Sequence, residues 1–206
     1  QHFLTPLFSP RSIVVFAGDP AQPDTAMPIA RALLAELTQN GFKGEVNFLD
    51  IEMTGTLSDL AHSRADLAII ALPHEQIEPA LEIAGRIRCR AALVLSSNLP
   101  AAQCATLHTV AKRHGVQLLG PNSLGFQRPF LKLNASVAGP LATPGPLALV
   151  SQSGALTSSV LDWAKQNGVG FSTVVSLGAN TAVDLAQVLD FLAADGSTHS
   201  ILVYME

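Results

Sequence analysis

The sequence has little cysteine: two in 206 residues, Cys89 and Cys104. Each lies inside an apolar or helical stretch, and the CxxC spacing of metal or redox sites is missing, so both read as buried free thiols. Charge is sparse as well. Only 14% of residues are charged, 12 Lys and Arg stand against 16 Asp and Glu, and the formal net charge is −4. A mildly acidic chain without an extended basic run offers no footprint for a phosphate backbone, which excludes a nucleic-acid partner. No apolar run approaches the ~18 residues that span a bilayer, and the segment from Gln1 to Ser12 lacks the charged-then-apolar order of a secretory signal. A membrane partner is therefore excluded, and a soluble, cytoplasmic protein is expected. The six histidines at 2, 62, 74, 108, 114 and 199 show no HExxH spacing, so no metal site is expected. GxSxG is also absent, and with it the usual serine-nucleophile turn.

What is present is apolar and periodic. Hydrophobic residues make up 48% of the chain, enough for a sizeable core and too many for disorder. At roughly 150 residues per domain, the length fits one large domain or two small ones. Short runs rich in Val, Ile and Leu alternate with helical periodicity, the pattern of repeated βαβ units around a parallel sheet. Strands are expected at Ser12 to Phe16, Glu45 to Leu49, Ala65 to Leu72, Ala91 to Ser96 and Gln117 to Leu119. Helices are expected near Met27 to Asn40, Glu75 to Ile87 and Ala101 to His114, with Gly41 and Gly115 placed as C-caps. From Pro121 to Pro146 the rhythm breaks in a proline- and glycine-rich stretch. It then resumes with a strand at Leu147 to Val150, a helix from Ala155 to Asn167, a strand at Ser172 to Leu177, a helix from Val183 to Ala194 and a strand at Ile201 to Met205. The expected division is a domain over 1–125, a linker over 126–146 and a second α/β domain beginning at 147. A strand that ends the chain without a turn behind it reads as part of something longer.

Open parallel sheets bind ligands at the carboxyl ends of their strands, so the loops there hold the candidates. The first, Phe16 to Pro20, contains Gly18 and Asp19 but not the GxGxxG of a dinucleotide loop; it reads as a structural turn or a degenerate nucleotide loop. The second is Pro73 with His74, a ligand edge or a plain loop histidine. The third, Ser96, Ser97 and Asn98, suits either helix capping or hydrogen bonds to a ligand. The fourth is Ser151, Gln152, Ser153 and Gly154, between an apolar strand and a helix. Unpaired N–H groups and the helix dipole favour a phosphoryl group there, with an N-cap role for Ser153 as the plainer alternative. The fifth runs from Ser176 through Asn180 to Asp184 and is expected to face the same crevice as the fourth.

Taken in order, Gly120-Pro121-Asn122-Ser123-Leu124-Gly125, Leu149 to Leu156, Val175 to Gly178 with Asp184, and Val203 to Glu206 resemble the NDP-forming acyl-CoA synthetases. The resembling region is the one similar to the α-subunit of succinyl-CoA synthetase. The resemblance implies a Rossmann-like CoA-binding domain followed by a flavodoxin-like parallel α/β ligase domain, truncated at Glu206. It implies CoA or acyl-CoA as the ligand, with Gly18, Pro73, His74, Ser96, Ser97, Asn98 and Asn122 at that site. Ser151 to Gly154 would receive the phosphoryl group of a phosphohistidine, and Glu206, the catalytic candidate, would support that histidine. The histidine itself and an ATP-grasp domain or subunit, through which ATP and ADP would act, would lie outside this chain. One departure stands out: the family's glycine-rich first loop corresponds to Ala17 to Pro23, which holds a single glycine. Residues Leu119 to Gly125 with Leu133 to Ser136 also resemble the synthetase-like part of bacterial protein lysine acetyltransferases. That resemblance implies, as an alternative, a non-catalytic acyl-CoA-sensing region fused to an acetyltransferase domain. A dinucleotide-binding Rossmann protein is a third reading, and self-association into a homo-oligomer stays open.

Overall fold

The computed structural model describes residues 2–18, 26–51, 65–179 and 181–206. Asp19, Pro20, Pro23 and Asn180 lie outside these described residues. After a short helix α1 (Thr5–Phe8), the apolar run Ser12–Phe16 forms β1. Strands β2 (Glu45–Phe48), β3 (Leu67–Ile70), β4 (Ala91–Leu95) and β5 (Gln117–Ser123) join β1 in one sheet of order β2-β1-β3-β4-β5. Every pairing in that sheet is parallel. Helices α2 (Pro28–Gln39), α3 (His74–Arg86) and α4 (Ala101–His114) accompany it. Proline stands at the start of each: Pro28 in the first turn, Pro73 and Pro100 as N-caps, each with φ already suited to helix entry.

Alternation along the strands assigns the two faces of this sheet. Val14, Phe16, Ala68, Ile70, Ala92 and Val94 pack under α3 and α4. Ile13, Val15, Leu67, Ile69, Ala91 and Leu93 face the opposite way, towards α1, α2 and the second sheet. Chain direction explains the arrangement: β1 is followed by β2 on one side and β3 on the other, so right-handed crossovers place helices on both faces.

The second sheet corrects two expectations. Residues 126–146, expected as a linker, contribute strands β6 (Gly125–Arg128) and β7 (Leu133–Ser136) to it, joined through a single 3-10 turn at Pro129–Leu131. One residue, Leu124, separates β5 of the first sheet from β6 of the second. The second sheet also contains β8 (Pro144–Ser151), β9 (Phe171–Ser176) and β10 (Ser200–Tyr204), in the order β10-β8-β9-β6-β7. Strands β8, β9 and β10 are parallel, as expected, whereas β6 runs antiparallel to both β7 and β9, so the sheet is mixed. The four-residue connection 129–132 dictates the β6/β7 pairing, because so short a loop can only reverse the chain. Helices α5 (Gly154–Asn167) and α6 (Leu185–Ala193) cover opposite faces, α5 over Leu149 and Val174, α6 over Ala148, Val150 and Val175.

The two sheets share one apolar core. Leu4, Leu7 and Phe8 are fully buried, and the Phe8 ring lies 5.2 Å from Phe126 and 5.0 Å from Phe191, both in the second half of the chain. Asn134 on β7 donates to the Glu36 carboxylate on α2 at 2.7 Å. Cys89 and Cys104 are free and buried, as expected, and burial pushes the Cys89 thiol up to about 12. No helix among the described residues is long and apolar enough to cross a membrane.

Candidate functional site

Each sheet has a point where the order of strands reverses, and crevices for ligands open there, beyond the carboxyl ends. In the first sheet the reversal falls between β1 and β3. Gly18 follows β1 with φ +94°, and no described atom lies within 4 Å of where its Cβ would stand. Pro73 and His74 follow β3. The His74 Nε2 lies 3.2 Å from the Ser97 carbonyl oxygen, an acceptor for that nitrogen when protonated, and this contact ties the loop after β3 to the loop after β4. Ser97 and Asn98 are exposed, with Asn98 in the left-handed region at φ +57°, while Ser96 is buried. Beside them, a cavity of about 200 Å³ opens between the first turns of α3 and α4, lined by His74, Glu75, Glu78, Leu99 and Gln103 among others. Two carboxylates on its wall make it a poor seat for phosphate.

Asn122 joins this group in another way. Its side-chain oxygen accepts from the Leu99 N–H at 2.8 Å, its amide donates to the Leu99 carbonyl at 3.3 Å, and its own N–H donates to Ser96 Oγ at 3.1 Å. Both ends of its amide are thus engaged in fixing the loop 96–99. Gly178, at φ +69°, presses on the Asn122 carbonyl so closely that no Cβ would fit. Ser123 Oγ donates to the Ser176 carbonyl, and Ser176 Oγ accepts from the Leu124 N–H at 3.3 Å. The loop after β9 therefore packs onto the end of the first sheet, and Ser176 and Gly178 serve that junction.

In the second sheet the reversal lies between β8 and β10. Ser151 is buried, and its hydroxyl both donates to the Ser153 carbonyl at 2.9 Å and accepts from the Ser153 N–H at 3.1 Å. Ser153 is the N-cap of α5, its Oγ accepting from the Leu156 N–H at 3.3 Å. An α-helix leaves its first N–H groups without partners inside the helix, and this one begins with a neutral cap, so an anion placed there would meet backbone donors and the positive end of the dipole. The start of α6 differs. Asp184 closes a capping box with Gln187, placing a carboxylate where an anion would have to bind. Gln152 accepts the Glu206 N–H on its side-chain oxygen at 2.9 Å, so the loop after β8 and the end of β10 meet. Sequence reading named both residues and missed the bond, because they stand 54 positions apart. Thr181 was also missed; its hydroxyl accepts the Gly120 N–H at 3.0 Å. Among the described residues no three His, Cys, Asp or Glu side chains gather as a metal would require.

The fold is an α/β one in which a parallel Rossmann-like sheet continues into a flavodoxin-like one, with polar loops at each switch point. Residues 144–206 match the family described as the succinyl-CoA ligase like flavodoxin domain. An ADP-forming acetate–CoA ligase I of Archaeoglobus fulgidus is 42% identical over 147 residues, covering 68% of this chain and 22% of the relative. The α subunit of the corresponding ligase I of Pyrococcus furiosus is 31% identical over 221 aligned positions, covering 98% of this chain and 47% of that subunit. Among solved structures, the dinucleotide-forming acetyl-coenzyme A synthetase 1 of Ca. Korarchaeum cryptofilum, in complex with phosphate and ADP, superposes with a TM-score of 0.86. It is 27% identical, over 98% of this chain and 45% of that one. The chain belongs to the NDP-forming acyl-CoA synthetase family, and residues 144–206 are its succinyl-CoA-ligase-like domain. It spans from about a fifth to just under half the length of these relatives, and none of those named is an acetyltransferase.

Proposed function

We propose that the chain supplies the CoA groove and the phosphoryl-receiving helix end of an NDP-forming acyl-CoA synthetase. The complete enzyme interconverts acyl-CoA, ADP and phosphate with free acid, CoA and ATP, passing through an acyl phosphate and a phosphohistidine. The CoA thioester lies along the crevice at the β1/β3 switch point, against Gly18, Pro73, His74, Ser97 and Asn98, with Ser96 and Asn122 holding that edge in shape. The first N–H groups of α5, beyond Ser153, receive the phosphoryl group, and Glu206 supports the phosphohistidine. That histidine and the ATP-grasp domain or subunit that exchanges phosphate with ADP belong to parts outside this chain. On this reading the protein works in the cytoplasm, where CoA and nucleotides are available.

The observation that carries the proposal is the meeting of Ser151 to Gly154 with Glu206 at the β8/β10 switch point, closed by the bond from the Glu206 N–H to Gln152. Calorimetric titration of the chain with CoA and with acetyl-CoA tests the groove. Saturable heat is expected for both ligands, reduced in a His74→Ala, Asn98→Ala variant. No heat at millimolar ligand, with circular dichroism unchanged, would overturn the assignment.

A further inference from the structure

The main-chain ladder between β8 and β10 continues as far as the Gln152 N–H, which donates to the Tyr204 carbonyl at 3.1 Å. Beyond that point the backbone after β8 turns into α5 and offers β10 no further acceptor in register. The Glu206 N–H, two residues past Tyr204, is met by the side-chain oxygen of Gln152 at 2.9 Å. One residue thus clamps the end of β10 twice, once through its backbone and once through its side chain. A carboxylate at the end of an edge strand would otherwise be free to swing, since β10 pairs with β8 alone and its residues are exposed.

We propose that Gln152 is a positioning residue: it fixes the backbone of Glu206, and hence the direction of that carboxylate, and does not itself bind the phosphoryl group. The inference rests on the synthetase reading above and departs from the sequence expectation that made Gln152 a phosphate ligand. Its side-chain oxygen is already committed to the Glu206 N–H, so the bond this side chain makes is to the strand end. Only its amide N–H groups could donate to an anion, and KM for phosphate reads that contribution. Misplacing a supporting group by about 1 Å is enough to slow a reaction by one to two orders of magnitude without changing how tightly substrate binds.

Gln152→Met removes the acceptor at nearly constant shape, and two measurements test it. In the 206-residue chain, amide hydrogen exchange at Glu206 is expected to be protected in the wild type and to accelerate at least tenfold in Gln152→Met. In the complete synthetase with its ATP-grasp part, assayed with acetyl-CoA, ADP and inorganic phosphate, kcat is expected to fall about tenfold while KM for phosphate stays within about twofold. Combining Gln152→Met with Glu206→Gln should cost no more than Glu206→Gln alone, because no carboxylate is left to place. A raised KM for phosphate with unchanged kcat, or additive losses in the double variant, would make Gln152 a phosphate ligand and overturn the proposal. Unchanged exchange at Glu206 would overturn it as well. If the wild-type enzyme fails to cleave acetyl-CoA in a manner dependent on ADP and phosphate, the synthetase reading fails, and the proposal with it.

Discussion

Arg128 shows at the scale of one residue how the second sheet is held together. It is only 6% exposed, and its Nη1 donates to Thr173 Oγ1 at 2.7 Å and to Asp195 Oδ2 at 3.0 Å, while the guanidinium lies 5.5 Å from the Phe191 ring centre. Burial pushes the Asp195 carboxyl up, but the Ser197 hydrogen bond, the Arg128 charge and the Thr198 hydroxyl outweigh it and hold it below the usual carboxylate range. A depressed folded value means that the stabilisation is complete above the unfolded value, about 4, and is lost as pH falls through the folded one. Urea midpoints should therefore drop more steeply for the wild type than for Asp195→Asn as pH is lowered from about 6 to about 3; parallel curves would count against the pairing. Arg128→Met strands the carboxylate and should cost about 3 kcal/mol at neutral pH, less in the Asp195→Asn background. At the α5 end, Ser153→Asp keeps a good cap but puts a fixed negative charge where phosphate should dock. Thermal stability should hold while sulfate or phosphate binding is lost, and a crystal of the variant with sulfate still at the helix end would refute the anion site.

Among the elements, the loops that join the two crevices are the most tightly fitted. A Cβ at Gly178 would strike the Asn122 backbone carbonyl, which cannot yield, and the position is at φ +69°. At Gly154 the obstacle is the Leu124 Cδ1 at 2.8 Å, the far end of a side chain that can rotate away. Gly178→Ala should consequently destabilise by about 2 kcal/mol or more, and Gly154→Ala by about 1 kcal/mol. The reverse order in thermal denaturation would contradict the packing described here. The same contrast between local and distant causes decided what was legible in the sequence. Strand β1 and helix α4 begin and end where the pattern put them, because an apolar run, Pro100 and Gly115 mark them locally. The hairpin β6–β7 was read as a linker because prolines and glycines interrupt the stretch and half of its buried positions are polar: Phe126, Leu133 and Ala135 enter the core, while Gln127 donates to Ser136 Oγ and to two carbonyls, Asn134 to Glu36 and Gly139, and Arg128 to Asp195. Strands of four residues are too short for their alternation to stand out, and the distant partners that satisfy the polar half are invisible in the sequence. Asn122, named as a ligand residue, spends its amide on Leu99 for the same kind of reason.

Across the whole molecule, α1 and the crossing at Leu124 make the two sheets one body. Phe8 touches rings from the second half of the chain, and the apolar cluster on that face runs unbroken from Leu4 to Leu192. Phe8→Ala should cost roughly 3 kcal/mol or more, and it should weaken both sheets together. The single tryptophan, Trp163 on α5, reports on the second sheet, while far-UV circular dichroism reports on both. Their urea transitions should coincide, and two separate midpoints would show that the sheets fold independently.

Whether the two switch points hold the two ligands is read most directly by amide chemical-shift mapping of the labelled 206-residue chain, which reports on both at once. Adding CoA should shift Gly18, His74, Ser97 and Asn98, and adding inorganic phosphate should shift Ser153, Gly154 and Ala155. CoA shifts confined to the separate pocket of the second sheet lined by Pro140, Thr143, Leu161 and Lys165, or phosphate shifts at Asp184 to Gln187 in place of the α5 end, would contradict these assignments.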